Sequence, residues 1–176
     1  MNFLSFDLEL NQDPTGAKII EIGACIGDTK TREIIAQYSA FVDPHEILQE
    51  HIIKLTGITQ SDVDNAGTLL EAYVGMCKMA ELHECARMPM VWGCGDGHAL
   101  RQELPKDTKW LFGRRELDVK ALYQSYQVAV EGKLQAGLAK AMTKLGLQFA
   151  GKKHRAVDDA INTFLIFCKL IGRFQS

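Results

Sequence analysis

Three strand-like segments lie within the first 42 residues and are joined by short turns. They cover residues 3–10, 17–26 and 33–42; the first alternates apolar and polar side chains, and the second is rich in isoleucine. The connections at 11–16 and 27–30 contain glycine, proline, asparagine or aspartate, which favour turns. Because a parallel pair would need a crossover of about a dozen residues, the three strands are predicted to be antiparallel neighbours.

After residue 43 the sequence alternates between helix-like and strand-like segments. Apolar residues recur at helical spacing in residues 69–87 and 156–171, and the apolar run at 88–92 is typical of a buried strand. Further helices are predicted at 44–55, 98–104, 119–127 and 134–145, a further strand at 116–119, and N-caps at Ser61 and Thr68. This order predicts an α/β fold with a mixed sheet flanked by helices. No repeat or linker-like stretch interrupts the sequence, so residues 1–176 are predicted to form a single domain.

Charge and cysteine content restrict the class of protein. The formal net charge is −2, whereas proteins that grip long duplex DNA are usually basic, so any contact with nucleic acid is predicted to be short. No apolar run approaches the roughly 20 residues of a membrane span, and the first residues lack a signal-peptide pattern, which favours a cytoplasmic protein. The five cysteines include no CxxC pair, which argues against a zinc site and favours buried thiols.

The first predicted strand carries two carboxylates, Asp7 and Glu9. Side chains two residues apart project from the same face of a strand. Apolar neighbours predict that this strand is buried, where unpaired carboxylates would be costly. A hard divalent cation would relieve the repulsion between the two, because such cations take oxygen ligands. A solvated strand face is the alternative interpretation of an isolated Asp-x-Glu pair.

Two later segments carry further candidate residues. Asp96 follows the strand at 88–92 inside a glycine-rich bend that leaves room for another molecule, although a turn or N-cap role is the alternative. Asp159 lies on the first turns of the helix at 156–171, on its predicted core side. His154 precedes this helix, and an imidazole beside a metal carboxylate can accept a proton from water near neutral pH. A loop histidine is more often a plain surface residue, and Asp158 is predicted to be a solvated charge or cap.

Taken together, these motifs resemble those of a known enzyme family. The matching stretches are Phe6-Asp7-Leu8-Glu9, residues 92–100 with their Asp-x-x-x-Leu pattern, and His154 with Asp159-Ala160; residues 19–24 and 55–59 support them. In order and spacing they resemble the three exonuclease motifs of the DnaQ-like DEDDh family of 3′→5′ exonucleases. The resemblance covers about residues 3–170, and its specificity lies in the ordered set rather than in any single motif.

The resemblance implies both a fold and a cofactor. The fold would be ribonuclease H-like, with a mixed sheet of three antiparallel and two parallel strands flanked by helices. Two Mg²⁺ or Mn²⁺ ions would be held by Asp7, Glu9, Asp96 and Asp159, and His154 would act as the base during release of 5′-mononucleotides. The nearly all-oxygen ligand set argues against zinc.

The resemblance also implies substrate contacts. Leu10 and Thr56 would line the pocket for the terminal nucleotide, although Leu55 and Ile58 could simply be core residues. Trp92 is a candidate to stack on the last base, with a buried strand tryptophan as the alternative. Arg155, Lys152 and Lys153 flank His154 and are candidates to hold a phosphate, with a solvated charge cluster as the alternative. The predicted partners are single-stranded RNA or DNA 3′ ends, with RNA slightly favoured and no membrane partner.

Two positions depart from the family pattern. Asn11 replaces a common threonine and can still donate a hydrogen bond, and Gly95 replaces an aromatic residue that is frequent in the RNA-trimming branch. The alternative functions are a proofreading-like DNA exonuclease, an endonuclease of the ribonuclease H type and a non-catalytic nucleic-acid-binding module.

Overall fold

A five-stranded sheet with the strand order β3-β2-β1-β4-β5 forms the centre of the protein. The structure, a computed structural model, describes residues 1–14, 16–134 and 137–172. The strands are β1 (Asn2–Asp13), β2 (Gly16–Asp28), β3 (Glu33–Phe41), β4 (Met90–Val91) and β5 (Leu117–Asp118). The first three are antiparallel neighbours, β4 pairs with β1 in parallel, and β5 pairs with β4 in parallel. The predicted mixed sheet is therefore confirmed.

Helices cover both faces of this sheet. They are α1 (Glu50–Thr56), α2 (Gln60–Asp64), α3 (Leu69–Leu82), α4 (Asp96–Glu103), α5 (Val119–Glu131), α6 (Leu138–Lys144) and α7 (Ala156–Ile171). One core cluster joins the sheet to α3 and α4, a second joins it to α5, α6 and α7, and a smaller one lies under α1 and α2. Among the described residues, no helix combines the length and the apolar character that a bilayer crossing requires.

The period of two along β1 decides which face receives the carboxylates. Leu4, Phe6 and Leu8 are buried in the cluster formed with α3 and α4. Asp7 and Glu9 alternate with them and so project toward the face that α7 covers. The strand therefore separates an apolar face from an acidic one.

Two glycines let α7 approach β2 closely. A Cβ atom at Gly23 would collide with the backbone of Ala156 and Val157, and one at Gly27 would collide with the ring of Phe164. Both glycines lie on the same face of β2, because they are four residues apart on a strand. The first turn of α7 is thus brought directly against the sheet, beside β1.

The helix predicted at 44–55 begins only at Glu50, because a buried side chain holds the preceding segment in an irregular conformation. Asn11 donates from Nδ2 to Glu46 Oε1 (2.6 Å) and accepts at Oδ1 from the amide of Gln49 (2.8 Å). The side chain of Asn11 is 2% exposed, so the amide group that was predicted to donate a hydrogen bond faces this loop rather than solvent.

Other boundaries also differ from the prediction. The turn predicted at 11–16 is strand as far as Asp13, with a register shift between Glu9 and Leu10. Thr59 rather than Ser61 caps α2, while the predicted cap at Thr68 is confirmed. The helix predicted at 69–87 ends at 82, the strand at 88–92 contains only residues 90 and 91, and the helix at 134–145 covers 138–144, with residues 135 and 136 outside the described part.

The cysteines match the prediction only in part. Cys25 and Cys168 are buried and Cys77 and Cys85 are half-buried. Cys94 is exposed, and its thiol donates to Asp118 Oδ2 at 3.2 Å, so the prediction of buried thiols is wrong there. The exposure follows from its place in the glycine-rich bend after β4.

Candidate functional site

Acidic side chains from three separate elements meet on the α7 side of the sheet. Asp7 and Glu9 come from the middle of β1, Asp96 is the first residue of α4, and Asp159 lies on the first turn of α7. One ligand atom each from Glu9, His154 and Asp159 lie within 4.8 Å of one another. The sequence predicted all five of these residues.

Burial and mutual repulsion raise the pKa values of the two β1 carboxyls. Burial is the main cause of a pKa for Asp7 well above the ordinary value, followed by the charges of Asp96, Asp159 and Glu9. Burial also raises the pKa of Glu9 from 4.5 to about 8, with Asp159 and Glu21 as the largest electrostatic causes. Asp7 therefore lies close enough to the other three acids to share one electrostatic field with them.

Asp96 and Asp159 are perturbed in the same direction. Burial, with a contribution from Glu116, raises the pKa of Asp96 to about 7. Burial raises the pKa of Asp159 to about 6, opposed by a hydrogen bond from the backbone of His154. Clustered carboxyls with raised pKa values are typical of functional sites, although structural networks also produce them.

Glu116 is a neighbour of Asp96 that the sequence reasoning missed. It lies directly above Gly97, where an added Cβ would collide with its carboxylate, and it accepts a hydrogen bond at Oε1 from Arg101 Nη2 at 3.0 Å. No local pattern marks Glu116, because 18 residues of the chain lie between it and Gly97.

The loop that carries His154 is anchored on both sides. Asn162 on α7 accepts from the amide of Ala150 (2.9 Å) and donates to its carbonyl (2.8 Å). The amide of His154 donates to Asp159 Oδ2 at 3.2 Å. His154 has a φ of 61°, a left-handed conformation that is uncommon outside glycine. The loop therefore presents an exposed imidazole to Glu9 and Asp159.

The donor set fits hard divalent cations. Four carboxyls offer oxygen ligands, and burial disfavours their charged forms, which a nearby cation would stabilise. The group is thus chemically suited to Mg²⁺ or Mn²⁺.

The residues predicted to contact the substrate lie in different surroundings. Leu10 lines a cleft of about 300 Å³ together with Ala99 and Glu103 on α4. Trp92 is half-buried and packs at a tilt against Tyr123, with ring centroids 6.0 Å apart. At Gly95 the space is open, because an added Cβ would meet nothing within 4 Å.

Thr56 does not present a surface to a substrate in this structure. It is 1% exposed, and its hydroxyl donates to the carbonyl of Ile52 (2.9 Å) and accepts from the amide of Ile58 (3.0 Å). Its carbonyl accepts from Lys152 Nζ at 3.1 Å. The contact of Thr56 with the terminal nucleotide stays a prediction, and the observed partners of its side chain are Ile52 and Ile58.

Arg155 is held by a protein carboxylate. Its Nη2 donates to Glu21 Oε1 at 2.9 Å and its Nε to Glu21 Oε2 at 3.2 Å. The guanidinium also lies 5.2 Å from the centre of the Phe41 ring. A phosphate contact at Arg155 stays a prediction, and the observed partner is Glu21.

The fold is ribonuclease H-like: a mixed sheet with carboxylates on the central strand, after the next strand and on the last helix. The model of the Exonuclease family (RNase_T) matches residues 4–167, so the chain belongs to this family. The resemblance to the DEDDh exonucleases that the motifs predicted is thereby confirmed.

Curated relatives agree with this family. The chain is 28% identical over 180 residues to ERI1 exoribonuclease 2 of Homo sapiens and 29% identical over 178 residues to 3′-5′ exonuclease Snipper of Drosophila melanogaster. Each match covers 88% of this chain, but only 25% of the first relative and 61% of the second. The chain thus spans a fraction of the length of these relatives.

Solved structures share the fold. The nuclease domain of 3′hExo, a DEDDh family member bound to rAMP, superposes with a TM-score of 0.84 at 22% identity, covering 98% of this chain and 92% of that one. Cell-death related nuclease 4 gives a TM-score of 0.82 at 17% identity, with 98% and 64% coverage. At these identities the likeness shows the fold.

Proposed function

We propose that this protein is a metal-dependent 3′→5′ exonuclease that releases 5′-mononucleotides from single-stranded 3′ ends, with RNA favoured over DNA. The observation that carries the proposal is the cluster in which Glu9, His154 and Asp159 bring ligand atoms within 4.8 Å of one another, in the electrostatic field of Asp7 and Asp96. A purely structural site would have little reason to gather four mutually repelling carboxyls, of which Glu9 is buried and the other three are half-buried.

The four acids and the histidine have different roles in this proposal. Asp7, Glu9, Asp96 and Asp159 would hold two Mg²⁺ or Mn²⁺ ions. When bound, such ions neutralise the carboxylates, acidify water and stabilise the leaving 3′-oxygen. His154 accepts the proton of the attacking water, which requires an imidazole that is solvent-accessible and aimed at the acids. The exposed loop position of His154 meets both conditions.

Support for a short, single-stranded substrate comes from shape and charge. A cleft of about 420 Å³ is lined in part by His154 and Asp159, a second cleft of about 300 Å³ lies beside Leu10, and the open space at Gly95 adjoins Asp96. The net charge of −2 offers little attraction for a long phosphate backbone. Trp92 is the aromatic residue nearest to Asp96 along the chain, and it is the candidate for stacking on the terminal base.

The preference for RNA rests on relatives. ERI1 exoribonuclease 2 and 3′-5′ exoribonuclease 1 of Homo sapiens, 28% and 24% identical to this chain, are named as exoribonucleases. The 3′hExo nuclease domain was solved with rAMP. Exonuclease I and exonuclease X, solved with DNA, share the fold at lower identity, so DNA is the second candidate substrate.

The test compares single-stranded RNA and DNA oligomers of matched sequence, labelled at the 5′ end, in Mg²⁺, Mn²⁺ or a chelator. We expect a ladder that shortens from the 3′ end, faster with RNA and absent in the chelator, and 5′-mononucleotides on chromatography. Asp159→Asn removes one ligand, and Asp107→Asn changes an exposed carboxylate outside the cluster as the matched control. Internal cuts in an RNA–DNA hybrid would identify an endonuclease, and binding without cleavage would identify a binding module.

A further inference from the structure

Glu21 is a buried carboxylate with all of its strong acceptor positions used. Its Oε1 accepts from Ser39 Oγ (2.9 Å) and Arg155 Nη2 (2.9 Å), and its Oε2 accepts from Arg155 Nε (3.2 Å) and the amide of Ala156 (3.2 Å). The residue is 0% exposed. A buried carboxylate is tolerated when it is paired and hydrogen-bonded, and a bidentate arginine fixes geometry as well as charge. Glu21 is therefore a rigid attachment point on β2.

The groups attached to Glu21 come from the two residues that follow His154 in the chain. Arg155 and Ala156 are the N-cap and first residue of α7. A second contact reinforces this attachment, because the absence of a side chain at Gly23 lets the first turn of α7 lie against β2. The start of α7 is thus fixed to the sheet at two successive positions on one face of β2.

His154 needs such support because of its backbone conformation. A φ of 61° at a non-glycine residue is a left-handed conformation that persists when the surrounding structure holds it. On one side, Asn162 holds the backbone of Ala150; on the other, Glu21 holds Arg155. The imidazole lies between these two attachments.

We propose that Glu21 and Arg155 are positioning residues that act through His154; we call the pair the Glu21–Arg155 clamp. The inference rests on the proposed function, and neither residue touches the reacting atoms. In the β1–β2 pairing, Glu21 lies directly opposite Glu9. One of the two glutamates faces His154 and Asp159, while the other orients the loop from which His154 projects. The chain thus divides two facing glutamates between ligation and positioning.

Glu21→Gln is the test variant, because it keeps size and one acceptor but loses the charge and one strong acceptor. Misplacing a catalytic group by about 1 Å can cost on the order of 100-fold in rate, so we expect kcat to fall by about that factor. KM for a labelled oligomer should stay within about two-fold, since the substrate contacts are intact. Both proteins are compared at saturating Mn²⁺, with the affinity measured by calorimetry, because the charge of Glu21 also acts on Glu9. Arg155→Lys keeps the positive charge but cannot form the bidentate pair with Glu21. It is the alternative variant if Glu21→Gln does not fold, and it should lower kcat in the same way.

A double-mutant cycle separates positioning from general stabilisation. If the clamp acts through His154, adding Glu21→Gln to His154→Ala should reduce kcat by less than about two-fold further. Thr68→Ala, which removes a distant helix cap, controls for destabilisation and should leave kcat unchanged in the wild-type background. A loss that persists in full without His154, or one explained by weaker Mn²⁺ binding, overturns the clamp. An inactive wild-type protein overturns the proposed function itself, whereas an active wild type with an equally active Glu21→Gln variant overturns the clamp alone.

Discussion

Replacing Glu9 by glutamine should stabilise the metal-free protein, although it removes a proposed ligand. Glu9 is 8% exposed, and burial is the largest cause that raises its pKa from 4.5 to about 8. The folded protein therefore binds the Glu9 proton more tightly than the unfolded chain does. Glutamine has a similar shape and no charge, so it fills the same volume without the penalty of ionisation.

The sign and size of the effect follow from proton linkage. Because the folded-state pKa of Glu9 is raised, Glu9 lowers stability progressively as pH rises from 4.5 toward about 8. The interval from the unfolded-state pKa of 4.5 to pH 7 is about 2.5 pH units. At roughly 1.4 kcal/mol per unit, ionised Glu9 therefore lowers the unfolding free energy at pH 7 by about 3 kcal/mol. This is an upper limit, since relaxation and water penetration around the acids reduce it. The advantage of glutamine should vanish near pH 4.5.

The assay is urea unfolding followed by circular dichroism at several pH values from 4.5 to 8, with chelator or with excess Mg²⁺. In chelator the unfolding free energy of Glu9→Gln should exceed that of the wild type increasingly as pH rises. With Mg²⁺ the difference in unfolding free energy between the variant and the wild type should shrink or change sign. A ligand that binds only the folded state stabilises it, and the wild type keeps the proposed ligand Glu9. Glu21→Gln is the matched control: it breaks a buried ion pair and should destabilise the protein with or without Mg²⁺.

A specific result would refute this reasoning. If Glu9→Gln in chelator is no more stable than the wild type at pH 7 and 8, the folded protein does not disfavour the charged form of Glu9. A stabilisation that is the same at pH 4.5 and at pH 8 would also contradict it, because the cause would then be packing rather than charge.

Four further variants test separate parts of the structure. Asp159→Asn should abolish trimming of a labelled strand while circular dichroism shows a folded protein; retained full activity would exclude Asp159 from the site. His154→Ala should lower kcat by about 10²- to 10⁴-fold with Mn²⁺ affinity largely kept, and an unchanged rate across pH would remove it as the base. Gly23→Ala should cost about 3 kcal/mol of unfolding free energy, because its Cβ would collide with the α7 backbone; a normal melting temperature would contradict that close approach. Thr68→Ala should cost about 1 kcal/mol through the lost cap of α3, measured by urea unfolding, and a larger loss would indicate a role beyond capping.

The site elements were predictable because short-range rules determine them. Period-two alternation along β1 places Asp7 and Glu9 on one face, and the short turns require β1, β2 and β3 to be antiparallel. Helical periodicity identifies α7 and puts Asp159 on its first turn. These rules depend on neighbours within a few residues, which the sequence displays directly.

The surroundings of the proposed substrate residues were harder to predict, because their contact partners are far away in the sequence. Thr56 is buried by its own helix end and by Lys152, 96 residues away. Arg155 looked like a free cation beside His154, yet its partner Glu21 is 134 residues distant. Asn11 meets the segment around Glu46 only after the chain has folded. A charge next to a catalytic motif therefore indicates little about function until its partner is known.

The two facing glutamates show why composition and pattern cannot settle such roles. Glu9 and Glu21 are the same residue type, both buried, on paired positions of adjacent strands and on the same face of the sheet. Their different chemistry comes from what α7 and its preceding loop bring to each: Asp159 and His154 beside Glu9, and Arg155 against Glu21. One carboxylate is left with raised pKa beside other acids, and the other is neutralised by a guanidinium. Since a single helix start supplies both environments, a change that shifts α7 along β2 should displace His154 and Asp159 together, whereas Glu21→Gln should release the start of α7 without removing a proposed metal ligand.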